Sequence, residues 1–321
     1  MILETVEQAQ VRSGQPIQAI LPNLGLPRAT YYRWQERAAE GRLVDREMVP
    51  RRRTIPPTPE EIAAVRGFAL DYPAAGYKRL TWMMVDEDVA YLRPYQVYRI
   101  LVAQNLLFRR PAPATEALRR PPAPDHPDQA WHIDLMYLRI GPRWYYLVDI
   151  VDGYSRYLVH WSLNLTMLTD TVTLTVQEAL DQLPTRQPGE PQLIHDHGGQ
   201  FISGEWREFI AGAGVTDVFT RAAHPQSNGL VERLHRTHRE EGLDDEALAD
   251  YYRALGAMAG WSDYYNHARP HSALRYLRPV DYYRGDPEAR LAERQRKLAQ
   301  AVEARKAYWQ EHKGRGNPSF I

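Results

Sequence analysis

The sequence predicts an α/β fold: a layered domain of mixed strands and helices, preceded by small all-helical modules. Three observations predict it. Upstream of residue 110 apolar residues recur at helical spacing, and from Trp131 the pattern changes to runs rich in β-branched and aromatic residues. Two clusters of proline and arginine, Pro50 to Pro59 and Pro111 to Pro127, separate these regions as linkers do. A chain of 321 residues also exceeds the ~250–300 residues at which single cores stop growing, so several modules are expected. The expected division is a helix-turn-helix-like segment at 1–50, a second helical module at 51–110, a linker at 111–127, a core domain at 128–285 and a charged helix or tail at 286–321.

In the first segment two short helical patterns flank Asn23-Leu24-Gly25, and Pro27 can open the second helix. A helix-turn-helix would place that second helix in a DNA major groove, with Arg28, Thr30, Tyr31 and Arg33 as contacts. A plain helical hairpin fits the same residues equally well, and Tyr31, Tyr32 and Trp34 suit core packing better than base stacking. Thr58-Pro59-Glu60-Glu61 is a capping-box start for the next helix. RLTWMMVDED and PYQVYRILVAQNLL then read as helices, with Lys78, Arg79, Arg93 and Arg99 nearby, Lys78 and Arg79 being candidate DNA contacts; a structural spacer is the alternative.

WHIDLMYLRI, WYYLVDIVD and RYLVHWSLNL are expected to form three consecutive strands joined by glycine-containing turns. An amphipathic helix from Thr169 to Leu183, a short buried strand at QLIHDHG, a helix at GEWREFIAGAG, a strand at TDVFT and a helix from about Ser227-Asn228 follow, which is α/β layering. Leu248, Tyr252, Leu255 and Met258 outline one long helix between Asp244 and Asn266.

Composition narrows the function classes. No apolar run approaches the roughly 20 residues of a membrane helix, and the first residues lack the basic and apolar regions of a secretory signal, so a cytoplasmic protein without a membrane partner is expected. The absence of cysteine excludes disulfides and cysteine-containing zinc sites. Forty basic residues balance forty acidic ones, so any nucleic-acid surface must be local, as in the arginine-rich stretch Arg28 to Arg53. Within that stretch Arg51-Arg52-Arg53 suits either phosphate contact or a solubilised linker.

Three carboxylates fall where strand, strand end and helix would meet: Asp134 in the first strand, Asp196 before Gly198-Gly199, and Glu232 about one turn into a helix. Two carboxylates ~4 Å apart repel by about 4 kcal/mol at an effective dielectric of 20, so clustered acids share a proton or bind a cation. Oxygen ligands favour magnesium or manganese, and a pair of such ions suits phosphodiester chemistry. Singly, each acid also has an ordinary use: Asp196 as a turn cap, Glu232 in a pair with Arg236, and Asp134 as a satisfied buried acid. Asp149 and Asp152 read as strand and turn residues rather than ligands.

WHIDLMYL with LVDIVDGYSRYLVHWSL, then LIHDHGGQFIS, then HPQSNGLVERLHRTHRE resemble the three signature blocks of the DDE, or integrase-core, transposases of bacterial insertion sequences. Thirty-five residues lie between Asp196 and Glu232, the interval characteristic of that superfamily, which includes retroviral integrases. LGLPRATYYRW, AAGYKRLTWMM, VYRILVAQNLL and YYNHARPHSALRYLRPVDYY extend the resemblance from about Leu24 to Tyr283. It implies a ribonuclease-H-like core with a mixed five-stranded sheet flanked by helices, and Asp134, Asp196 and Glu232 as catalytic ligands of two Mg2+ or Mn2+ ions. Also implied are action on double-stranded DNA at terminal inverted repeats and a target, assembly of a homo-oligomer on DNA, and Arg239 as a phosphate contact, with His235 and Arg236 on the same helix face. In many relatives an upstream reading frame supplies a further DNA-binding protein, so this chain can be the catalytic part of a longer fusion. Met136 stands where many relatives have Thr, and His197 where many have Arg or Lys. A zinc site built from His195, His197, His224, His235 and His238 is disfavoured, because His195 and His224 are ordinary parts of the family's motifs and His224-Pro225 falls in its active-site loop. The alternatives to a transposase are a nuclease that cuts without joining and a non-catalytic DNA-binding remnant or regulator of transposition.

Overall fold

The computed structural model describes residues 2–41, 55–107, 124–220 and 229–312. Arg51-Arg52-Arg53, most of the 111–127 linker, His224-Pro225 and the Ser227-Asn228 helix start lie outside the described residues. The chain forms two compact units, Met1–Thr54 and Ile55–Ile321.

The first unit holds three helices: α1 (Ile2–Ser13), α2 (Ile17–Asn23) and α3 (Arg28–Ala39). Gly25, at φ +65°, makes the left-handed turn that a side chain would strain, and Pro27 caps α3 with extended backbone. Val6, Leu21 and Tyr31 form the small core. Tyr31 has no exposed surface, so the DNA contact expected of it is corrected: its ring closes the three-helix core. Arg28 and Arg33 are exposed on α3, and Thr30 is half-buried.

The second unit begins with α4 (Pro59–Asp71), α5 (Tyr77–Asp86) and α6 (Pro94–Ala103), packed around Val65, Leu80, Met84, Leu92 and Ile100. The capping box is reciprocal: the Glu61 amide donates to Thr58 Oγ1 at 3.2 Å and the Thr58 amide to Glu61 Oε2 at 2.9 Å.

The sheet contains β1 (Ala130–Ile140), β2 (Arg143–Asp152), β3 (Leu158–Asn164), β4 (Gly189–His195) and β5 (Val215–Phe219). Their spatial order is β3-β2-β1-β4-β5; β1 runs antiparallel to β2 and parallel to β4, giving the mixed five-stranded sheet. Between the strands lie α7 (Thr169–Asp181), α8 (Gly199–Ile202) and α9 (Gly204–Ala213). They pack with Trp131, Ile133, Val148 and Ile150 on one sheet face, in a core that includes Val172, Val176, Phe201 and Trp206. The alternate residues of the same strands, Met136, Leu138, Leu147 and Val151, face the other way, as the period of two requires. That face is covered by α10 (Val231–Glu241) and α11 (Tyr251–Asp263), through Leu234, Ala254, Met258 and Trp261. Asp134 and Asp149 belong to the α10 face.

The single helix expected from Asp244 to Asn266 is broken. Asp250 takes extended backbone and accepts the Arg253 amide at 3.0 Å, starting α11 afresh. The restart shifts the helical phase, so Tyr252 points outward at 81% exposure while Ala254, Met258 and Trp261 turn inward. A π-helical turn at Tyr264–Ala268 follows, and Asn266 bonds both the amide and the carbonyl of Leu158 at 2.9 Å, satisfying strand β3.

After α12 (Pro279–Tyr283), the helix α13 (Pro287–Glu311) returns to α5 and α4. The segment expected as a charged helix or tail is a helix with buried charge: Arg294 pairs with Asp86 at 2.6 Å, Arg305 with Glu61 at 2.6 Å, and the Trp309 indole donates to Pro56 O at 2.8 Å. The regions expected as second module, core and tail thus lie within one compact unit, and no helix among the described residues is long and apolar enough to cross a membrane.

Candidate active site

Asp134 lies mid-strand in β1 and Asp196 follows the last residue of β4, where Gly198 and Gly199 open α8. The parallel register runs from Ala130↔Gln192 to His132↔Ile194, and the same offset continued two residues past the last pair sets Asp134 opposite Asp196, near enough for their charges to interact. Asp134 Oδ1 accepts the Leu135 amide at 2.9 Å, while Asp196 Oδ1 accepts the Gly198 amide at 2.9 Å. Burial pushes the Asp134 carboxyl up to about 6, and the negative charges of Asp196 and Asp149 push it the same way, against the opposing pull of His235.

Glu232 is exposed in the first turn of α10. The structure thus brings two of the expected acids together. Among the described residues no three His, Asp or Glu side chains converge closely enough to hold a metal ion, so Glu232 does not close a three-acid cluster with them. The Asp134–Asp196 pair nevertheless fits a hard divalent cation in its chemistry: oxygen donors only, and a half-buried carboxyl whose ionisation an added positive charge would favour.

The α10 face shared by residues 232, 235, 236 and 239 divides. Arg236 and Arg239 are exposed beside Glu232, available to a phosphate backbone. His235 is only 8% exposed, and its expected DNA contact is corrected: Nδ1 lies 3.7 Å from Asp134 Oδ2 and Nε2 3.2 Å from Asp149 Oδ2. The position is buried because α10 packs on the sheet with Val231, Leu234, His235 and His238 inward. His238 Nε2 also lies 3.2 Å from Asp149 Oδ2. Neither contact with Asp149 meets hydrogen-bond geometry, so both Asp149 oxygens, His235 Nε2 and both His238 ring nitrogens are buried without a hydrogen-bond partner. Burial pushes the Asp149 carboxyl up, yet His238 and His235 outweigh it and hold the group well below the usual carboxylate range. Burial likewise pulls His235 down, and Asp149 and Asp134 reverse it, leaving the imidazole raised.

The Asp149, His235 and His238 cluster was not foreseen from sequence. Its signal was present: an acid inside the apolar strand LVDIVD, and two histidines three residues apart on one helix.

The other candidates have separate places. His195 is buried on β4, its Nε2 2.5 Å from Asp217 Oδ1 and its ring stacked on Phe201. His197 is exposed with its ring near Phe219, and Met136 is spent on the core. Asp152 caps its turn, accepting the Asp128 amide at 2.8 Å and the Ser155 amide at 2.6 Å. In α5, Lys78 is exposed, while Arg79 reaches Glu241 at the end of α10 at 3.4 Å.

Two family models described as integrase core domain match residues 124–225 and 213–279. The uncharacterized protein of insertion element IS136 from Agrobacterium fabrum is 30% identical over 142 residues, covering 43% of this chain and 73% of that protein. The insertion element IS407 protein of Burkholderia multivorans is 26% identical over 212 residues, 64% of this chain and 74% of that protein. The transposase for insertion sequence element IS904 of Lactococcus lactis is 27% identical over 158 residues, 49% and 61% of the two chains. Among solved structures, the HTLV-2 integrase catalytic core domain in complex with magnesium aligns at 18% identity and TM-score 0.39, covering 50% of this chain and 98% of that one. With the sheet order, the paired acids and these relatives together, the chain belongs to the integrase-core transposase family of bacterial insertion sequences, whose members act in DNA transposition.

Proposed function

We propose that this protein cleaves DNA at the ends of an insertion sequence and joins the freed ends to a target duplex. The observation that carries the reading is the approach of Asp134 in β1 to Asp196, just past the end of the neighbouring parallel strand β4, on the sheet face against which the helix carrying Glu232 packs. Asp134 and Asp196 would hold Mg2+ or Mn2+, two ions per site; Glu232, which does not converge on them among the described residues, would join the ligand set only by a movement of the first turn of α10. Bound there, the cations supply positive charge that activates an attacking hydroxyl and stabilises the leaving oxygen of a phosphodiester.

In the first step water attacks the phosphorus and the P–O3′ bond breaks, leaving a free 3′-hydroxyl and a 5′-phosphate. That hydroxyl then attacks a target phosphodiester, forming one bond and releasing the target's own 3′-hydroxyl. No covalent enzyme intermediate is required, since no protein nucleophile takes part. Arg236 and Arg239, exposed along Glu232's side of α10, would bind the phosphate backbone and orient the end. Terminal-repeat recognition falls to Arg28, Thr30 and Arg33 in the first unit and to Lys78 and Arg79 in the second. The working form is a homo-oligomer on DNA, with a protein of the upstream reading frame as a further partner.

The test is a supercoiled plasmid carrying the element's own ends, incubated with wild type or Glu232→Gln in Mg2+, Mn2+ or EDTA. Metal-dependent nicking at the 3′ ends that disappears in the variant is the expected result. End binding without cutting by either protein would favour the alternative, a non-catalytic DNA-binding remnant or regulator.

A further inference from the structure

Asp149 stands opposite Asp134 in the β1–β2 ladder, with no exposed surface, on the face that α10 covers. Its neighbours on the strand, Val148 and Ile150, are core residues, and an aliphatic side chain would pack at 149 without the cost of a buried charge. What an aliphatic residue cannot do is orient an imidazole. The Asp149 carboxylate meets two, His235 and His238, each at 3.2 Å from the same oxygen. His238 is itself fully buried and lies against the Trp261 ring at 3.9 Å, so it is fixed from behind. His235 then meets Asp149 through Nε2, and its other nitrogen faces Asp134 Oδ2 at 3.7 Å. The opposite oxygen of Asp134 is held by the Leu135 amide. The carboxylate of Asp134 therefore has a hydrogen bond on one oxygen and the His235 ring within 3.7 Å of the other, and that ring leads to Asp149.

We propose that Asp149 is a positioning residue of the cleavage site: it sets the ring of His235 against Asp134 and, through His238, pins the helix that carries Glu232 to the sheet. The inference rests on the reading of Asp134 as part of the cleavage machinery. Asp149 touches no substrate, and its effect passes through His235.

Two measurements test it. The first is a double-mutant cycle of end cleavage with wild type, Asp149→Asn, His235→Asn and the double variant. Each single change is expected to lower kcat by roughly 10- to 100-fold, the loss typical of residues that orient a ligand from behind. KM for the DNA ends should stay within about twofold, and the double variant should be no slower than the slower single. Losses that multiply in the double variant, or full kcat in either single, overturn the proposal. Where Asp149→Asn fails to fold, Asp149→Ser takes its place in both measurements, with the same outcomes deciding.

The second measurement needs neither metal nor DNA: ring-nitrogen NMR of 15N-histidine-labelled protein, with His235 assigned from His235→Asn. Asp149→Asn is expected to displace the His235 resonances, and unchanged resonances overturn the proposal. If wild type cuts no DNA, the functional reading has failed and the catalytic meaning of Asp149 falls with it. The ring-nitrogen spectra still decide whether Asp149 sets His235.

Discussion

Arg294→Ala should detach α13 from the helices it straps. The Arg294 side chain is 3% exposed and makes a two-point pair with Asp86, Nε to Oδ1 at 2.8 Å and Nη2 to Oδ2 at 2.6 Å. It also donates to the carbonyls of Arg275 at 3.1 Å and Tyr276 at 2.7 Å, and its guanidinium lies 4.8 Å from the Trp82 ring centre. Arg275 and Tyr276 both sit in the left-handed region, at φ +53° and +60°, so the arginine also steadies a turn that non-glycine residues disfavour. Removing one partner of a buried ion pair costs about 3–5 kcal/mol, because the other charge is left uncompensated. The Asp86 side chain is 19% exposed, so water reaches it and the lower end, about 3 kcal/mol, is expected. Urea unfolding of the full chain followed by tryptophan fluorescence measures the change. Arg294→Met combined with Asp86→Leu should recover most of the loss, since no charge is then stranded. A change of less than about 0.5 kcal/mol in Arg294→Ala, the range of ordinary surface substitutions, would refute the claim that this contact anchors α13.

Other outcomes can be checked directly. Asp196→Asn should abolish detectable end cleavage while retaining DNA binding in a gel-shift assay; loss of both together would instead indicate a folding defect. The carboxyl of Asp134 is raised from 3.8 to about 6, so the stability it contributes is complete below pH 3.8 and lost as pH rises through 6. Mn2+ should therefore raise the Tm more at pH 7.5 than at pH 5, where the ion must displace a proton; equal shifts at both values would contradict the assignment. Tyr31→Ala should cost about 3–5 kcal/mol in the first unit, as loss of a core aromatic does, read from amide exchange in α1 to α3. Arg28→Ala should leave that exchange unchanged and weaken DNA binding with a shallower salt dependence.

The sequence by itself determined the order of the five strands and of most helices, because period and turn chemistry are local: Gly141 closes the β1–β2 hairpin and the Thr58 capping box starts α4 where they were read. It also nominated Asp134 and Asp196, since the motif around each marks a strand or strand end, and the parallel register then sets them side by side. Tertiary structure alone decided the rest. Whether His235 meets DNA or the sheet depends on how α10 rolls against β1 and β2, and helical periodicity cannot distinguish a buried polar ring from a displayed one. The use of Asp149 depends on two histidines more than eighty residues away in the chain, a pairing that no local pattern encodes. The same holds for α13, where alternating charge reads as a solvated surface. Arg294 and Arg305 are buried because Asp86 and Glu61, distant in sequence, supply the compensating charge that allows them to leave water.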